Sequence, residues 1–483
     1  MVRAASSMIP GDPRPDRSEL ARYFDALAPV RDGWIERNRY YHDELARAFS
    51  FFIPPGHSVL EIGSGTGRLL NALKPSRGLG IDLSEGMVGV ARRKYPHLEF
   101  RVDDLERLEL DETFDYIVIA DLLGFLHDVQ SSFERLQSLC RPRTRVVLTY
   151  YNALWEPLLT LGERVGLKAQ QPVQSWLGPQ DVENLLDLAG FEVVRRQARL
   201  LLPKYVPLVA ELCNRFLVHL PLLEKCALAF VTVARPRPAR GKGPSSVSVV
   251  VPARNERGNI EDAVKRTPDL GTRTEIVFVE GNSSDGTAEE IERVIAAYPD
   301  RDVRLVRQGE GRGKGDAVRK GFAAATGDVL MILDADLTVA PEDLPKFYRA
   351  LVSGQGEFIH GSRLVYPMEK QAMRSLNIVA NKFFSVTFSY LLEQRFKDTL
   401  CGTKVLFKED YESIAANRGY FGEFDPFGDF DLIFGAAKLN LKIVEIPVHY
   451  YARTYGTTNI SRFRHGWLLL KMSLFAMRKL KFV

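Results

Sequence analysis

VLEIGSGTGRLL, residues Val59–Leu70, reads as a short buried strand that runs into a glycine-rich loop and then a helix. Val59–Ile62 is the strand, with Glu61 near its end; Gly63, Ser64, Gly65 and Gly67 build the loop, and Arg68–Lys74 begins the helix. Glycines in that place let backbone N–H groups approach a ligand at a helix N-terminus. The G-x-G-x-G spacing alone also suits a dinucleotide. The next strand, LGIDLS, narrows the choice. It ends in Asp82, about twenty residues after Gly63, where a carboxylate accepts from a ribose diol. Asp82 also reads as the N-cap of a helix over Ser84–Lys94, and the two roles are compatible.

Outward from this stretch the chain alternates short apolar runs with amphipathic ones. SVLEIG, LGID, LEFRVDD, FDYIVIA, TRVVLTYY, FEVVRR and CALAFVTVA read as strands with helical segments between most of them. Such alternation predicts a parallel sheet with crossover helices. RPRPARGKGPSS (Arg235–Ser246) breaks the pattern with Pro, Gly and Arg and reads as a linker. A second alternation follows: VSVVVPA, EIVFVEG, VRLVRQG, DVLMILDAD, EFIHGSR and IVEIPVHYYA. No internal repeat relates the halves. The expected organisation is a disordered tail over 1–20, a first α/β domain over 21–234, a linker over 235–246, a second α/β domain over 247–465 and a basic amphipathic helix over 466–483.

From Tyr40 to Ala234 the first half resembles the class I S-adenosylmethionine-dependent methyltransferases. GSGTG favours adenosylmethionine over NAD; Asp104 and Leu105 match the acid-plus-apolar step that holds the adenine, and FDYIVIADLLGFLHD matches the fourth strand and its loop. The resemblance implies a Rossmann-like fold and an adenosylmethionine site made of Glu61, Gly63, Ser64, Gly65, Gly67, Asp82 and Leu83, with Met87, Asp104 and Leu105 around the adenine. The methyl donor is already an activated sulfonium, so the protein mainly has to align an acceptor, with a base where the acceptor is a hydroxyl. His127 and Asp121 lie in the expected region for that base. Tyr40, Tyr41, Tyr150, Tyr151 and Asn152 are candidates for an acceptor pocket, core packing being the alternative reading.

In the second half SVSVVVPARNE is a buried strand ending at Pro252 and a polar loop. EIVFVE ends in Glu280 before GNSSDGT, whose Asp285 and Thr287 read as turn and helix-cap residues. DVLMILDADLT places Asp334 and Asp336 on either side of Ala335 at a third strand end. Paired carboxylates there suit Mg2+ or Mn2+ on a diphosphate, because these ions take oxygen ligands and keep phosphate and water in their shell. GEGRGKG (Gly309–Gly315) lacks P-loop spacing and reads as a loop before a helix, apart from Lys314.

This set resembles the inverting family 2 glycosyltransferases, and within them the polyprenyl-phosphate, dolichyl-phosphate mannose synthase-like branch, over about Ser246–Phe463. The matching segments include LDADLT, GSR, DTLCGTK, DFDLIFGAAKL and RTYGTTN. The resemblance implies a GT-A-type nucleotide-sugar fold. By position it assigns the nucleoside to Pro252, Ala253, Arg254, Asn255, Glu256 and Glu280, the metal and diphosphate to Asp334 and Asp336, and phosphate contacts to Arg363, Arg374 and Arg453; Lys314 joins the nucleotide-sugar-binding set. The family's usual Asp-Asp is Glu280-Gly281 here, the acid or amide after DADL is Thr338, and a frequent Lys is Asn459. A lipid-phosphate acceptor needs little base catalysis, whereas a hydroxyl acceptor needs a carboxylate, with Asp398, Asp429 and Asp431 as candidates.

Composition closes off other classes. A net charge of +4 and no recognisable nucleic-acid motif exclude a nucleic-acid partner. Cys140, Cys213, Cys226 and Cys401 form no metal or disulfide spacing and read as reduced thiols of a cytoplasmic protein. The N-terminus has no apolar run to serve as a secretory signal. No segment offers a clean transmembrane run. Leu376–Leu392 and Gly466–Val483, apolar and aromatic with Lys/Arg flanks, suit the cytoplasmic face of a membrane, a core helix or a homo-oligomer face being the alternatives. The reading is a bifunctional transferase. The alternative is a glycosyltransferase acting on a soluble hydroxyl, with the first domain as an adenosylmethionine-binding accessory.

Overall fold

The computed structural model describes residues 14–238, 243–311, 313–366, 375–420, 429–456 and 462–482, with the side chains of 375–380, 429, 462–466, 468 and 469 outside the description. The chain divides into two compact units, with the break between Arg237 and Pro238. Each is an α/β domain, Rossmann-like in the first unit and GT-A-like in the second.

The first helix of unit 1 is α1 (Arg17–Arg37), which begins inside the segment 1–20 expected as a tail. Asp16 caps it by accepting from the Glu19 N–H, and the Glu19 carboxylate accepts from the Asp16 N–H in return. After α2 (Arg39–Phe52) come β1 (Ser58–Ile62), α3 (Arg68–Leu73), β2 (Arg77–Asp82), α4 (Glu85–Lys94), β3 (Glu99–Val102), β4 (Phe114–Ala120), α5 (Val129–Leu136), β5 (Cys140–Tyr151), α6 (Glu156–Arg164), β6 (Phe191–Arg199) and β7 (Ala229–Pro236). The sheet order is β3-β2-β1-β4-β5-β7-β6. β1 pairs parallel with β2 and β4, setting Leu60 beside Leu79 and Ile117. These central strands are covered on both faces, which is why they read as continuous apolar runs.

Unit 2 holds β8 (Val247–Ala253), β9 (Thr274–Glu280), β10 (Asp302–Arg307), β11 (Val329–Ile332), β12 (Phe358–Ser362), β13 (Lys404–Phe407) and β14 (Ile443–Pro447), in the order β10-β9-β8-β11-β13-β12-β14. Val247, Val249, Val251, Phe278, Met331 and Val405 belong to its core.

Three expectations are corrected. The first sheet is mixed rather than parallel, with β7 antiparallel to β5 and β6; the second is mixed as well, with β13 antiparallel to β11 and β12. Periodicity marks a strand but carries no direction. The segment read as linker begins inside β7, where Arg235 is buried and bonded to Glu192 at 2.6 Å. The last helix starts at Arg462, before residue 466.

No helix among the described residues is long and apolar enough to cross a membrane. The helix Ser375–Leu392 buries Phe388, Leu391 and Leu392 but exposes Phe383 and Val386. In the last helix Trp467 is exposed, with the Lys471 ammonium 5.7 Å from its ring centroid.

Candidate active sites

In unit 1 the strand order reverses between β1 and β4, and such a switch point opens a crevice beyond the carboxyl ends of the strands. A cavity of about 370 Å3 lies there. Glu61, Gly63, Ser64 and Gly65 line it from the first loop, Asp82, Leu83 and Met87 from the second, and Asp104 and Leu105 from the third. Gly65 has φ +50°, and a Cβ there would meet nothing within 4 Å, so its backbone faces open space. Its N–H donates to Asp82 Oδ2 at 2.8 Å, while Asp82 Oδ1 accepts from the Ser84 N–H at 3.0 Å. Glu61 accepts from the Leu70 N–H at 2.9 Å. Burial pushes its pKa up to about 8, against the pull of that bond. Ser64 Oγ is buried with no hydrogen-bond partner among the described residues, a polar atom left for something in the cavity. The open glycine backbone, the orphaned hydroxyl and the two carboxylates fit adenosylmethionine. Gly67 stands off the cavity; a Cβ there would come within 2.6 Å of the Phe100 ring.

Deeper along the cavity, Asp121 sits at φ +53° just after β4. It accepts from the Tyr41 hydroxyl at 2.5 Å and the Thr149 hydroxyl at 2.9 Å. Burial raises its pKa, and burial with the neighbouring Asp121 carboxylate raises that of Tyr41. Tyr151 lines the same wall, its ring centroid 6.1 Å from that of Tyr41.

In unit 2 the strand order reverses between β8 and β11. Asp334 and Asp336 follow β11 by two and four residues rather than ending the strand. Lys314 Nζ lies 2.5 Å from Asp334 Oδ1. Burial works to raise the Asp334 pKa, but Lys314 and the more distant Lys404 and Arg363 bring it below its ordinary value. A Cβ on Gly402, in the DTLCGTK segment, would fall 2.0 Å from Asp334 Oδ2, so a side chain there would displace that carboxylate. Arg453, in the loop after β14, donates to Asp336 Oδ2 at 2.7 Å and to Glu256 Oε1 at 2.9 Å. The Thr338 hydroxyl donates to the other Asp336 oxygen at 2.8 Å.

The loop after β8 is tied to the loop after β9: the Asn255 N–H donates to Ser283 Oγ at 3.0 Å, the Glu256 N–H to Thr287 Oγ1 at 3.0 Å, and the Ser283 N–H to Glu280 at 2.6 Å. Among the described residues no cluster of three or more His, Cys, Asp or Glu surrounds Asp334 and Asp336. The donor set still fits a divalent cation that draws its other ligands from a diphosphate and water. Each carboxylate is paired with a basic side chain, Asp334 with Lys314 and Asp336 with Arg453.

A methyltransferase-domain family model matches residues 34–196, and the glycosyl transferase family 2 model matches residues 248–414. The chain joins a methyltransferase domain to a family 2 glycosyltransferase domain. The glycosyltransferase domain is similar to a dolichol-phosphate mannosyltransferase of Pyrococcus furiosus, 30% identical over 241 residues, covering 47% of this chain and 64% of that one. It is also similar to the Saccharomyces cerevisiae dolichol-phosphate mannosyltransferase, 38% identical over 109 residues, covering 22% of this chain and 40% of that one. The chain thus spans less than two thirds of the length of these relatives. A solved structure like the methyltransferase domain is magnesium protoporphyrin IX methyltransferase from Synechocystis with bound SAH, at 18% identity and a TM-score of 0.34, covering 46% of this chain and all of that one (100%).

Several candidates lie elsewhere than the sequence suggested. Asp398 is fully buried and accepts from the Arg363 side chain at 2.7 and 2.9 Å, the Arg363 and Leu400 N–H groups at 3.0 Å and Asn381 at 2.9 Å. A carboxylate so saturated, whose pKa Arg363 draws down against its burial, is suited to a structural role rather than to taking a proton. Arg363 in turn spends two of its nitrogens on Asp398. Asp431 accepts from Arg418 at 2.8 Å. Arg374 and Asn459 lie outside the described residues, as does the Asp429 side chain. His127 does not line the methyltransferase cavity; its N–H donates to Glu106 at 2.6 Å. Tyr40 accepts from Asn214, Tyr150 stacks on Phe230, and Asn152 donates to Lys225 and Ala227 carbonyls, all as structural contacts.

The sequence reading missed the cover supplied by α1. Asp32 accepts from Thr66 Oγ1 at 2.8 Å, Asp25 accepts from Ser84 Oγ at 2.6 Å and the Gly86 N–H at 2.8 Å, and Arg17 reaches Asp104 at 3.0 Å. His42 on α2 also lines the cavity, and burial takes its pKa down to about 3, so the ring is neutral near pH 7.

Proposed function

We propose that the chain is a bifunctional transferase. The first domain transfers a methyl group from adenosylmethionine, and the second transfers a sugar from a nucleotide sugar, with inversion, to a polyprenyl phosphate. The observation that carries the second activity is the pair Asp334 and Asp336, each held by one cation, Lys314 and Arg453, at the switch point of the sheet. Asp334 and Asp336 would hold Mg2+ or Mn2+, and Lys314 and Arg453 beside them would contact the donor diphosphate. The ion supplies Lewis-acid neutralisation of the leaving diphosphate. Glu256 and Asn259, 2.8 Å apart, keep Arg453 aimed into the site. A lipid phosphate is already anionic at neutral pH and attacks without a base, which agrees with Asp398 having no free lone pair to offer. The relatives named for dolichol phosphate support this acceptor, as do the exposed Phe383, Val386 and Trp467 on helices suited to a membrane surface.

For the first domain, the support is the cavity with Gly65 open to it and Ser64 Oγ unsatisfied. Asp121, oriented by Tyr41 and Thr149, is placed to accept a proton from the methyl acceptor.

The test is product formation by the full chain from labelled nucleotide sugars and a short polyprenyl phosphate, with Mn2+ or Mg2+ against chelator. Labelled adenosylmethionine is followed in parallel. Asp336→Asn should reduce sugar transfer at least a hundredfold and leave methyl transfer unchanged. Equal sugar transfer in chelator or in the variant would refute the metal assignment. Transfer to a soluble hydroxyl in preference to the lipid phosphate would refute the acceptor.

A further inference from the structure

Among the described residues, exposed apolar side chains lie on and near the wall of the methyltransferase cavity. Helix α6 has no buried residue, and its Leu158 and Leu161 are 57% and 55% exposed. Leu154 before it and Leu167 after it are exposed as well. The connection between β6 and β7 repeats the pattern, with Leu208 81% and Leu222 80% exposed. The two segments are joined where Trp155 Nε1 donates to the Cys226 carbonyl at 2.9 Å. Exposed apolar side chains grouped in this way mark a candidate binding surface.

Continuity with the cavity identifies what binds. Leu158 and Leu167 line the cavity and are at the same time exposed, and Leu228 reaches it from the second segment. The wall therefore runs from polar groups, Asp121, Tyr41 and Tyr151 near the glycine loop, to leucines at the mouth. Charge argues against an anionic bilayer as the main occupant. Leu154–Leu167 carries Glu156, Glu163, Arg164 and no Lys, and Leu201–Leu223 carries Lys204, Arg215 and Glu211, so the two segments together balance in charge and lack the strong cationic excess of a surface-binding helix.

We infer that the methyl acceptor is amphipathic: a polar group is methylated beside Asp121 and Tyr41, and a long apolar chain lies along α6 and the β6–β7 connection. The inference rests on the methyltransferase reading above and names the class of its acceptor. The acceptor lone pair forms the bond to the methyl carbon. The sulfur–methyl bond breaks with its electron pair left on sulfur, giving S-adenosylhomocysteine. The proton lost by the acceptor passes to the Asp121 carboxylate.

The experiment incubates the full chain and labelled adenosylmethionine with a membrane lipid extract or with the water-soluble extract of the same cells. Label should enter an organic-phase product. The double variant Leu154→Glu/Leu161→Glu, altered only at exposed positions, should reduce that product at least tenfold while binding S-adenosylhomocysteine as the wild type does. A second arm needs no turnover: dodecyl phosphate, below its micelle concentration, should perturb tryptophan fluorescence through Trp155, with at least tenfold weaker binding in the variant. Label confined to a water-soluble product, a lipid product formed equally by the variant, or no dodecyl phosphate binding overturns the inference. So does a dimer of this chain that the double variant dissociates. Failure of the wild type to bind S-adenosylhomocysteine would instead sink the methyltransferase reading.

Discussion

The guanidinium of Arg453 meets the carboxylate of Asp336 at 2.7 Å, across 117 residues of sequence. Its other amino group holds Glu256 at 2.9 Å. One side chain thus ties the loop after β14 to the loops after β8 and β11. A cation between two part-buried carboxylates neutralises charge that would otherwise be costly to keep there.

Removing that cation should therefore cost both stability and transfer. Arg453→Ala should destabilise the second unit by about 2 kcal/mol, the scale of lost hydrogen bonds to charged groups. It should also lower sugar transfer at least tenfold. Arg453→Lys restores charge but not the fork that spans two carboxylates, so its recovery should be partial. Urea unfolding and transfer rates on the three proteins check this.

Gly65 offers a sharper probe of the first site. Its φ of +50° disfavours a β-branched residue by about 1–2 kcal/mol, yet a Cβ would touch nothing within 4 Å in the structure. Gly65→Val should therefore fold, with modestly lower stability, and lose most affinity for S-adenosylhomocysteine because the new side chain projects into the cavity. Calorimetric titration of wild type and variant measures it. Unchanged affinity would refute the site.

The strands and the ligand-facing loops were legible because local signals coincide there. An apolar run that ends in glycines or carboxylates marks both a buried parallel strand and its functional end, as at Ile62–Gly63 and Ile332–Asp336. β13 was not legible. Lys404–Phe407 is four residues long and opens with a lysine, yet Lys404 is fully buried and donates to the Cys401 carbonyl at 2.7 Å. The cover from α1 was hidden for a different reason. Asp25 and Asp32 look like ordinary helix-surface acids, and their partners Ser84 and Thr66 lie 59 and 34 residues away. The surroundings of Asp398 were not legible because a motif shows a carboxylate but not the five donors around it.

Asp398 itself separates structural from catalytic anions. Asp398→Asn removes the charge opposite a buried Arg363, and breaking one side of such a pair typically costs about 3–5 kcal/mol. The variant should lose cooperative unfolding of the second unit at lower denaturant, with sugar transfer falling in step with the folded fraction. Transfer abolished in protein of wild-type stability would instead make Asp398 a reacting group.

Glu61 gives a pH dependence whose sign is fixed by its burial. Its ordinary value of 4.5 is raised to about 8 by desolvation, which outweighs the hydrogen bond from Leu70. The folded state therefore favours the protonated, neutral acid. The associated stability is complete below about pH 4.5 and is lost as pH rises through about 8, when the buried group must ionise at a cost on the order of a few kcal/mol. Glu61→Gln keeps an oxygen to accept from the Leu70 N–H but cannot ionise. The variant should match the wild type near pH 5 and exceed it at pH 9. The measurement is thermal unfolding of the full chain across that range, the methyltransferase transition being the one that S-adenosylhomocysteine shifts. A wild type that gains stability relative to the variant as pH rises would show that Glu61 is already ionised in the folded protein, held by a donor other than Leu70.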